Sequence, residues 1–226
     1  LKVVARVRHP TSLYAADGKD VIVKNRSPSI VVFGVKPRGL RPPVLLRGGT
    51  VPKSTVAISP DRRLEARGAR DGEVSLVDAH TRKVVRTWPA HTAAVTSVAF
   101  SPDGKKLVTA SLDKDVRIWA VPSGKLLQGP LRWHFGPVAS ATFSPDGRWI
   151  LTAGPSTAGL GFADSGERLV FLRGHTDPLV GAVFAGRDGR LIVTAAKDGT
   201  IRSWRCGLCG DVDDLIALAA RRIAAY

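Results

Sequence analysis

The sequence predicts an all-β protein built from repeated units of short antiparallel strands, and two observations carry this prediction. The first is a Ser-Pro-Asp turn sequence that begins at Ser59, Ser101 and Ser144, at spacings of 42 and 43 residues. The second is the end of a β-rich run, which falls at Val77, Trp119, Phe162 and Trp204. A fixed period of 20–50 residues indicates a repeat architecture, so the period of about 42 sets the fold class.

One period contains four strands separated by turns. Residues 95–100 are β-branched and aromatic, and the Ser-Pro-Asp-Gly turn follows them. Strands are then predicted at 106–110, at 115–119 and at 125–128, the third of them alternating charged and apolar residues. A four-stranded unit cannot bury both of its faces alone. Stacked neighbours supply the missing core, which is the arrangement of a β-propeller.

The period divides the chain into five blades, at about 1–47, 48–87, 88–129, 130–172 and 173–205. The first copy is weaker, with Asp17-Gly18 preceding Phe33 by 16 residues. The last copy lacks a fourth strand, and residues 2–8 resemble one. The N-terminal strand would then complete the last blade and close a five-bladed ring; alternatively, the chain belongs to a larger ring.

The third unit resembles a WD repeat, through His91, Ser-Pro-Asp-Gly at 101–104, Ser111-Leu112-Asp113 and Trp119. The resemblance covers about residues 1–205 and implies a WD-repeat β-propeller, commonly seven-bladed in this family. It also implies a structural tetrad of His, Ser or Thr, Asp and Trp in each blade. Residues assigned to it by the resemblance are His91, Ser111, Asp113 and Trp119 in the third repeat and His175, Asp198 and Trp204 in the fifth.

Other positions depart from the family pattern. The fifth repeat has Ala196 at the expected hydroxyl position, the fourth has Gly154, Ser156 and Phe162, and the second has Ala69 and Val77 beside Asp71. A hydrogen bond contributes about 0.5–1.5 kcal/mol net, so we expect blades 2 and 4 to be less stable than blade 3. The histidines recur at the repeat period, which favours one structural role per blade over a metal site or general base. We expect no enzyme activity and no cofactor.

Composition excludes several classes of protein. Of 226 residues, 44% are hydrophobic and 23% charged, which is typical of a globular chain. No apolar run approaches the roughly 18–20 residues of a transmembrane helix, and no signal peptide is visible, so no membrane partner is expected. Two cysteines cannot form a disulfide scaffold, which favours a reducing compartment, the cytoplasm. The chain begins with Leu1, and we expect it to be part of a longer protein.

The net charge of +15 is concentrated in residues 1–90, which carry +11 of it. The segment from Lys36 to Lys53 contains no acidic residue, and its candidates for phosphate contact are Lys36, Arg38, Arg41, Arg47 and Lys53. The segment lacks aromatic residues for base stacking. A solvated loop between blades is the favoured interpretation, and nucleic-acid binding is the alternative.

Cys206 and Cys209 follow the last repeat directly. We predict a reduced structural pair; half a zinc site or a thiol-dependent redox enzyme is the alternative. Residues 211–226 are predicted to form a short amphipathic C-terminal helix, which packs on the propeller or docks to a neighbouring domain or subunit. This ending also resembles that of large bacterial WD-repeat signalling proteins, in which the propeller is a C-terminal sensor.

A partner-binding site is predicted at the loop before the first strand of the fourth blade. Trp and Arg are enriched among binding hot spots, so Arg132, Trp133 and Phe135 are the candidate contacts. The alternative is that Trp133 only covers the fourth blade. The sequence therefore predicts a non-catalytic platform that binds a protein partner or a neighbouring domain of the same polypeptide.

Overall fold

The computed structural model describes residues 2–6, 10–16, 20–25, 29–36, 39–40, 44–47, 55–186, 188–207 and 209. Side chains are described at positions 10 and 13 and throughout the ranges from 55 onward. These residues form 21 strands in antiparallel sheets, which confirms the predicted all-β class. Within the same ranges, no helix is long and apolar enough to cross a bilayer. The helix predicted at 211–226 lies outside the described residues.

The strands follow one another in five sheets along the chain. The strands before residue 55 are β1 (Lys2–Arg6), β2 (Pro10–Ala16), β3 (Asp20–Asn25), β4 (Ser29–Lys36), β5 (Gly39–Leu40) and β6 (Val44–Arg47). The next eight are β7 (Val56–Ile58), β8 (Leu64–Gly68), β9 (Glu73–Asp78), β10 (Val84–Pro89), β11 (Val95–Phe100), β12 (Lys106–Ser111), β13 (Val116–Ala120) and β14 (Leu126–Gln128). The last seven are β15 (Ser140–Phe143), β16 (Trp149–Ala153), β17 (Ala158–Phe162), β18 (Arg168–Leu172), β19 (Leu179–Ala185), β20 (Leu191–Ala196) and β21 (Thr200–Arg205).

Each sheet is one blade in which consecutive strands pair with one another, except that β6 of blade 1 pairs with β4. Blade 1 contains β2 to β6, blade 2 β7 to β10, blade 3 β11 to β14, and blade 4 β15 to β18. Blade 5 contains β19 to β21, and its fourth strand is β1, paired antiparallel with β21. This pairing is the one that the five-bladed alternative predicts. The N-terminal strand thereby ties the first described residues to the last blade.

The blades pack face to face through apolar side chains. Between blades 2 and 3, Leu76 and Trp88 meet Val98 and Trp119 in one buried cluster, and similar clusters lie between blades 3 and 4 and between blades 4 and 5. One strand of each blade lines a central cavity of about 410 Å³ and is the innermost strand of its blade. These strands are β2, β7, β11, β15 and β19. Blade 1 reaches this cavity through Leu13, which also packs against Gly181 of blade 5.

Two serine hydroxyls join neighbouring innermost strands. The amide of Ala141 in blade 4 donates to Ser97 Oγ in blade 3 at 2.9 Å, and the amide of Ala182 in blade 5 donates to Ser140 Oγ at 3.3 Å. Ser97 and Ser140 occupy the same repeat position, 43 residues apart. Polar backbone groups that cannot pair within their own sheet are thus satisfied across the blade boundary.

The Ser-Pro-Asp turns have one geometry in blades 2, 3 and 4. In blade 3, Ser101 Oγ donates to Asp103 Oδ1 at 2.6 Å, and the amide of Lys105 donates to the same carboxylate oxygen at 3.0 Å. The next residue, Gly104, has a left-handed φ of 71°. In blade 2 this place is taken by Arg62, whose φ is 61°. A side chain in this conformation costs roughly 1–2 kcal/mol, which glycine avoids.

We expect Arg62→Gly to stabilise the protein by up to about 1 kcal/mol. Relief of the left-handed strain exceeds the additional backbone entropy that glycine loses on folding, about 0.5–1 kcal/mol. Denaturant unfolding followed by tryptophan fluorescence measures the change. Arg63→Gly, one residue further on, is the matched control and should be neutral or destabilising. A loss of stability in Arg62→Gly as large as in the control contradicts the expectation.

Candidate functional site

A chain of hydrogen bonds runs through the interior of blade 3. Trp119 Nε1 donates to Thr109 Oγ1 at 3.0 Å, and the same oxygen lies 2.7 Å from His91 Nε2. His91 Nδ1 lies 2.9 Å from Asp113 Oδ2, which also accepts the amide of Thr92. One direction of donation satisfies every group: the indole donates to Thr109, Thr109 donates to His91 Nε2, and His91 Nδ1 donates to Asp113. This assignment fixes a neutral His91 with its proton on Nδ1.

The assignment of Ser111 as the tetrad hydroxyl is wrong, because Thr109 supplies it. Alternate residues of a strand share one face, so the hydroxyls of Thr109 and Ser111 lie on the same side of β12. They differ only in their position along the strand. Ser111 Oγ bonds instead to the carbonyls of Ala93 and Ala94 at 3.0 and 2.9 Å, and it accepts the amide of Asp113. It closes the turn above the network.

Blade 5 holds the same network with its own threonine. Trp204 Nε1 donates to Thr194 Oγ1 at 2.9 Å, His175 Nε2 lies 2.8 Å from that oxygen, and His175 Nδ1 lies 3.0 Å from Asp198 Oδ2. The expectation that Ala196 leaves this blade without a hydroxyl is therefore wrong. A sequence signal for the threonines did exist, since Thr109, Thr152 and Thr194 recur at 43 and 42 residues.

Blade 4 keeps only half of the network. His134 Nε2 lies 2.8 Å from Thr152 Oγ1, while Phe162 replaces the tryptophan and stacks on Trp149 with ring centroids 4.6 Å apart. Gly154 occupies the position of Ser111, and a Cβ there would lie 2.1 Å from His134 Nδ1. The glycine therefore makes room for the imidazole, and the greater softness expected for blade 4 stays a prediction.

Trp133 is buried, with 8% of its surface exposed, and it covers two glycines of β17. A Cβ on Gly159 would lie 3.0 Å from Trp133 Cε3, and one on Gly161 would lie 2.5 Å from Trp133 Cη2. The indole belongs to the apolar cluster between blades 3 and 4. The prediction that Trp133 contacts a partner is therefore wrong, and the alternative, that it covers the fourth blade, is what the structure has.

Phe135 lies two residues further on and is 99% exposed. The loop that carries it is held on both sides, by the buried Trp133 and His134 before it and by Gly136, which packs against Pro155, after it. The amide of Val138 then donates to the carbonyl of Ser111 at 3.1 Å and joins the loop to blade 3. Phe135 thus projects from an anchored loop.

Arg132 precedes these residues, and its side chain is 77% exposed. Its Nε lies 3.4 Å from Asp115 Oδ1, and Arg117 donates to the other oxygen of Asp115 at 3.2 Å. Leu112 and Lys114, in the turn between β12 and β13, are also exposed, as is Pro137. We call Leu112, Lys114, Arg132, Phe135 and Pro137 the Phe135 surface.

The buried histidines are all driven toward the neutral form. Burial lowers the pKa of His91 and of His175, and the facing carboxylates Asp113 and Asp198 raise it in part. Burial, together with the charge of Arg168, lowers the pKa of His134 to about 4. No carboxylate raises the pKa of His134, because Ser156 occupies the repeat position that Asp113 has in blade 3.

Asp198 shows the opposite balance. Burial raises its pKa, but hydrogen bonds from the hydroxyl and amide of Thr200, from His175 and from the amide of Thr176 outweigh burial and bring the pKa to about 2. The carboxylate is therefore ionised throughout the physiological range and serves as an acceptor.

Cys206 and Cys209 are joined by a disulfide, so the prediction of a reduced pair is wrong. Both residues are buried in the cluster between blades 4 and 5, beside Trp149 and Leu179. Zinc binding requires thiolates, and neither sulfur is free. Over the described part of the chain, no group of three or more His, Cys, Asp or Glu residues is placed to hold a metal ion.

The side chains of the five candidate phosphate contacts are not among those that the structure describes. Arg38, Arg41 and Lys53 lie outside the described residues, and Lys36 and Arg47 end strands β4 and β6 whose side chains are not described. These five stay predictions.

We expect Thr109→Val to destabilise the protein by about 2–4 kcal/mol. The substitution leaves His91 Nε2 and Trp119 Nε1 buried without partners, each at a cost of about 1–3 kcal/mol. Denaturant unfolding measures the loss. Thr109→Ser keeps the hydroxyl and should retain most of the stability, whereas a loss in Thr109→Val no larger than that in Thr109→Ser would show that the hydroxyl network does not account for the effect.

The free energy of unfolding should fall as the pH is lowered from about 7 to about 4. An unfolded histidine has a pKa of about 6.5 and takes up a proton in this range, but folded His134 does not until the pH reaches about 4. His134 alone accounts for about 3 kcal/mol of this loss, which begins as the pH falls below about 6.5 and is complete near pH 4.

Urea titrations at several pH values measure this slope, and His134→Gln should flatten it while lowering stability at neutral pH. Equal slopes for the two proteins would rule out His134 as a source of the pH dependence.

The comparisons with known proteins agree with this geometry. The sequence profile of the family "WD domain, G-beta repeat" matches residues 82–120, 124–158 and 166–205, about half of the chain. The chain is similar to WD repeat-containing protein 36 of Homo sapiens (42% identical over 57 residues, 25% of this chain and 6% of that protein). It is also similar to Protein groucho of Drosophila melanogaster (30% over 112 residues, 50% and 15%) and to Actin-interacting protein 1 of the same species (29% over 160 residues, 67% and 26%). The chain thus spans about a quarter or less of the length of these relatives.

With the repeats matched in sequence and the blades and networks present in the structure, the chain belongs to the WD-repeat family.

Proposed function

We propose that this chain is a non-catalytic platform for protein interaction and that the Phe135 surface is its contact site. WD-repeat proteins typically act as protein-interaction platforms, which supports the general role. The contact site is supported by one observation above all: Phe135 is 99% exposed on a loop that buried neighbours hold in place.

An anchored aromatic residue is suited to binding for an energetic reason. Immobilising a flexible side chain or loop on association costs about 0.5–1.5 kcal/mol per residue, and a loop already fixed by Trp133 and His134 avoids much of that cost. Single exposed apolar residues are common on protein surfaces. Phe135 differs from them because its loop is fixed by burial on one side and by the Gly136–Pro155 contact on the other.

Arg132 adds a directional contact beside the ring. Its side chain is exposed while Asp115, its partner at 3.4 Å, is already bound by Arg117. The guanidinium of Arg132 therefore has hydrogen-bonding capacity for another molecule. Arg and aromatic side chains are enriched among residues that dominate binding energy.

The partner is proposed to be another protein or a neighbouring domain of the same polypeptide. The chain spans only 6–26% of the relatives it matches, and a role as the sensor propeller of a larger signalling protein is part of this proposal. Cytoplasmic location is likewise proposed, although the disulfide removes the reduced cysteine pair as an argument for it.

Of the two alternatives, only one keeps its basis. A thiol-dependent redox enzyme needs a cysteine that its substrate can reach, whereas Cys206 and Cys209 are only 8% and 4% exposed. Nucleic-acid binding by the segment from Lys36 to Lys53 stays a prediction, tested by retardation of random duplex DNA at low salt.

Phe135→Ala should abolish or strongly reduce recovery of partner proteins from a cell extract on the immobilised chain. Truncation of a central anchor typically costs 2 kcal/mol or more of binding energy, about thirtyfold in affinity. Quantitative mass spectrometry compares the recovered proteins, with the folded state of each variant verified by its unfolding midpoint.

Val84→Ala is the matched control, because Val84 is 64% exposed on the outermost strand of blade 2. It removes a similarly exposed apolar side chain far from the proposed site. Recovery that is the same for wild type, Phe135→Ala and Val84→Ala would overturn the choice of contact surface.

A further inference from the structure

The residues of the Phe135 surface come from two loops that hydrogen bonds join into one. The amide of Leu131 donates to the carbonyl of Val116 at 2.8 Å, and the amide of Val138 donates to that of Ser111 at 3.1 Å. The loop between β14 and β15 thus starts and ends against the turn between β12 and β13. Apolar and cationic groups from both loops share this end of blades 3 and 4.

The apolar part is more than one ring. Leu112 is 49% exposed, Phe135 is 99% exposed, and Pro137 is exposed beside them. Burying a side chain of this kind contributes about 1.5–3 kcal/mol, so an apolar group of a partner gains by lying among them.

The exposed charged side chains around these apolar residues are cationic. Lys114 and Arg132 project to solvent, whereas the carboxylates of Asp113 and Asp115 are only 5% and 8% exposed. Asp113 is held by His91, and Asp115 by Arg117. The loops at 129–139 and 153–158 contain no acidic residue at all. The carboxylates are therefore withheld from a partner, and the cations are presented to it.

Lys114 occupies its position at a conformational cost. Its φ is 77°, and the equivalent positions of blades 2 and 5 hold Gly72 and Gly199, with φ of 93° and 77°. A lysine in this region costs roughly 1–2 kcal/mol relative to the relaxed backbone. The amide of Lys114 donates to the carbonyl of Ser111 at 3.3 Å, and the glycine amides of blades 2 and 5 make the same turn bond, so the turn itself does not require a lysine side chain.

We propose that the partner's contact segment is an acidic peptide that carries an apolar side chain. This proposal rests on the proposed function and specifies the chemistry of the partner. The apolar side chain packs among Leu112, Phe135 and Pro137, while acidic residues on either side of it pair with Lys114 and Arg132. Such pairs act in part by steering, so the association weakens as salt is added.

Nucleic acid is also acidic, but this surface favours a peptide. Non-specific binding to nucleic acid depends on many phosphate contacts, and two exposed cations in two loops offer few. Leu112 and Pro137 add aliphatic surface, which suits an apolar side chain better than a stacked base. Binding of random-sequence single-stranded RNA is therefore an outcome that counts against the proposal.

The test selects random phage-displayed peptides of about 16 residues on the immobilised chain and measures the affinity of the recovered peptides by fluorescence anisotropy. The expected peptides have net negative charge around an aromatic or aliphatic residue. Their affinity should fall at least about tenfold with Phe135→Ala and with the double variant Lys114→Glu, Arg132→Glu.

Two controls separate charge at this surface from charge in general and from strain. Lys105→Glu with Lys125→Glu reverses two exposed lysines in turns at the opposite end of blade 3 and should leave affinity within about twofold. Lys114→Gly should raise the unfolding midpoint while weakening acidic peptides several-fold, a combination that a purely structural role for Lys114 does not produce.

The outcomes distinguish this proposal from the proposed function. Neutral or basic peptides whose affinity depends on Phe135 would leave the contact surface in place and overturn the acidic partner. Peptides that bind Phe135→Ala as well as wild type, or a selection that recovers none, would overturn the contact surface and the acidic partner together. Single-stranded RNA that binds through Phe135 more tightly than every selected peptide would overturn the acidic peptide alone.

Discussion

The threonine hydroxyl in the second strand of blade 3 is the interaction on which the exposed end of that blade depends. It has one proton and two lone pairs, and it uses the proton for His91 and a lone pair for Trp119. His91 in turn holds Asp113, so the loop before the blade, two of its strands and the turn between them are fixed together. Removing the oxygen would leave two buried groups unsatisfied, which costs more than the net gain from each bond.

Blade 4 replaces part of this polar network by packing, and the packed residues hold the loop of the proposed binding surface. Gly154, Gly159 and Gly161 leave the space into which His134 and Trp133 fit. The two buried rings then hold the loop that exposes the next residue, Phe135, to solvent. A blade that departs from the family pattern thus carries the loop that we propose as a contact site.

Overall charge says little about where a partner binds, since the outcome depends on which charges are buried. Asp113 and Asp115 balance Lys114 and Arg132 in the sequence, but only the cations are exposed. Both oxygens of Asp113 and both oxygens of Asp115 already accept a hydrogen bond within the protein. The surface near Phe135 is therefore cationic for local reasons, independent of the excess of basic residues before residue 90.

The sequence by itself determined the repeat and the strand limits of blade 3 to within a residue or so, because turn residues and period-two alternation act over a few neighbouring residues. Blade 3 illustrates this, with strands at Val95–Phe100 and Lys106–Ser111 where 95–100 and 106–110 are predicted. Only the tertiary structure decided which hydroxyl meets His91, since Thr109 and Ser111 share one strand face and differ in depth. It also decided that Trp133 is buried, because the space for the indole comes from glycines of another strand that no local pattern connects with it.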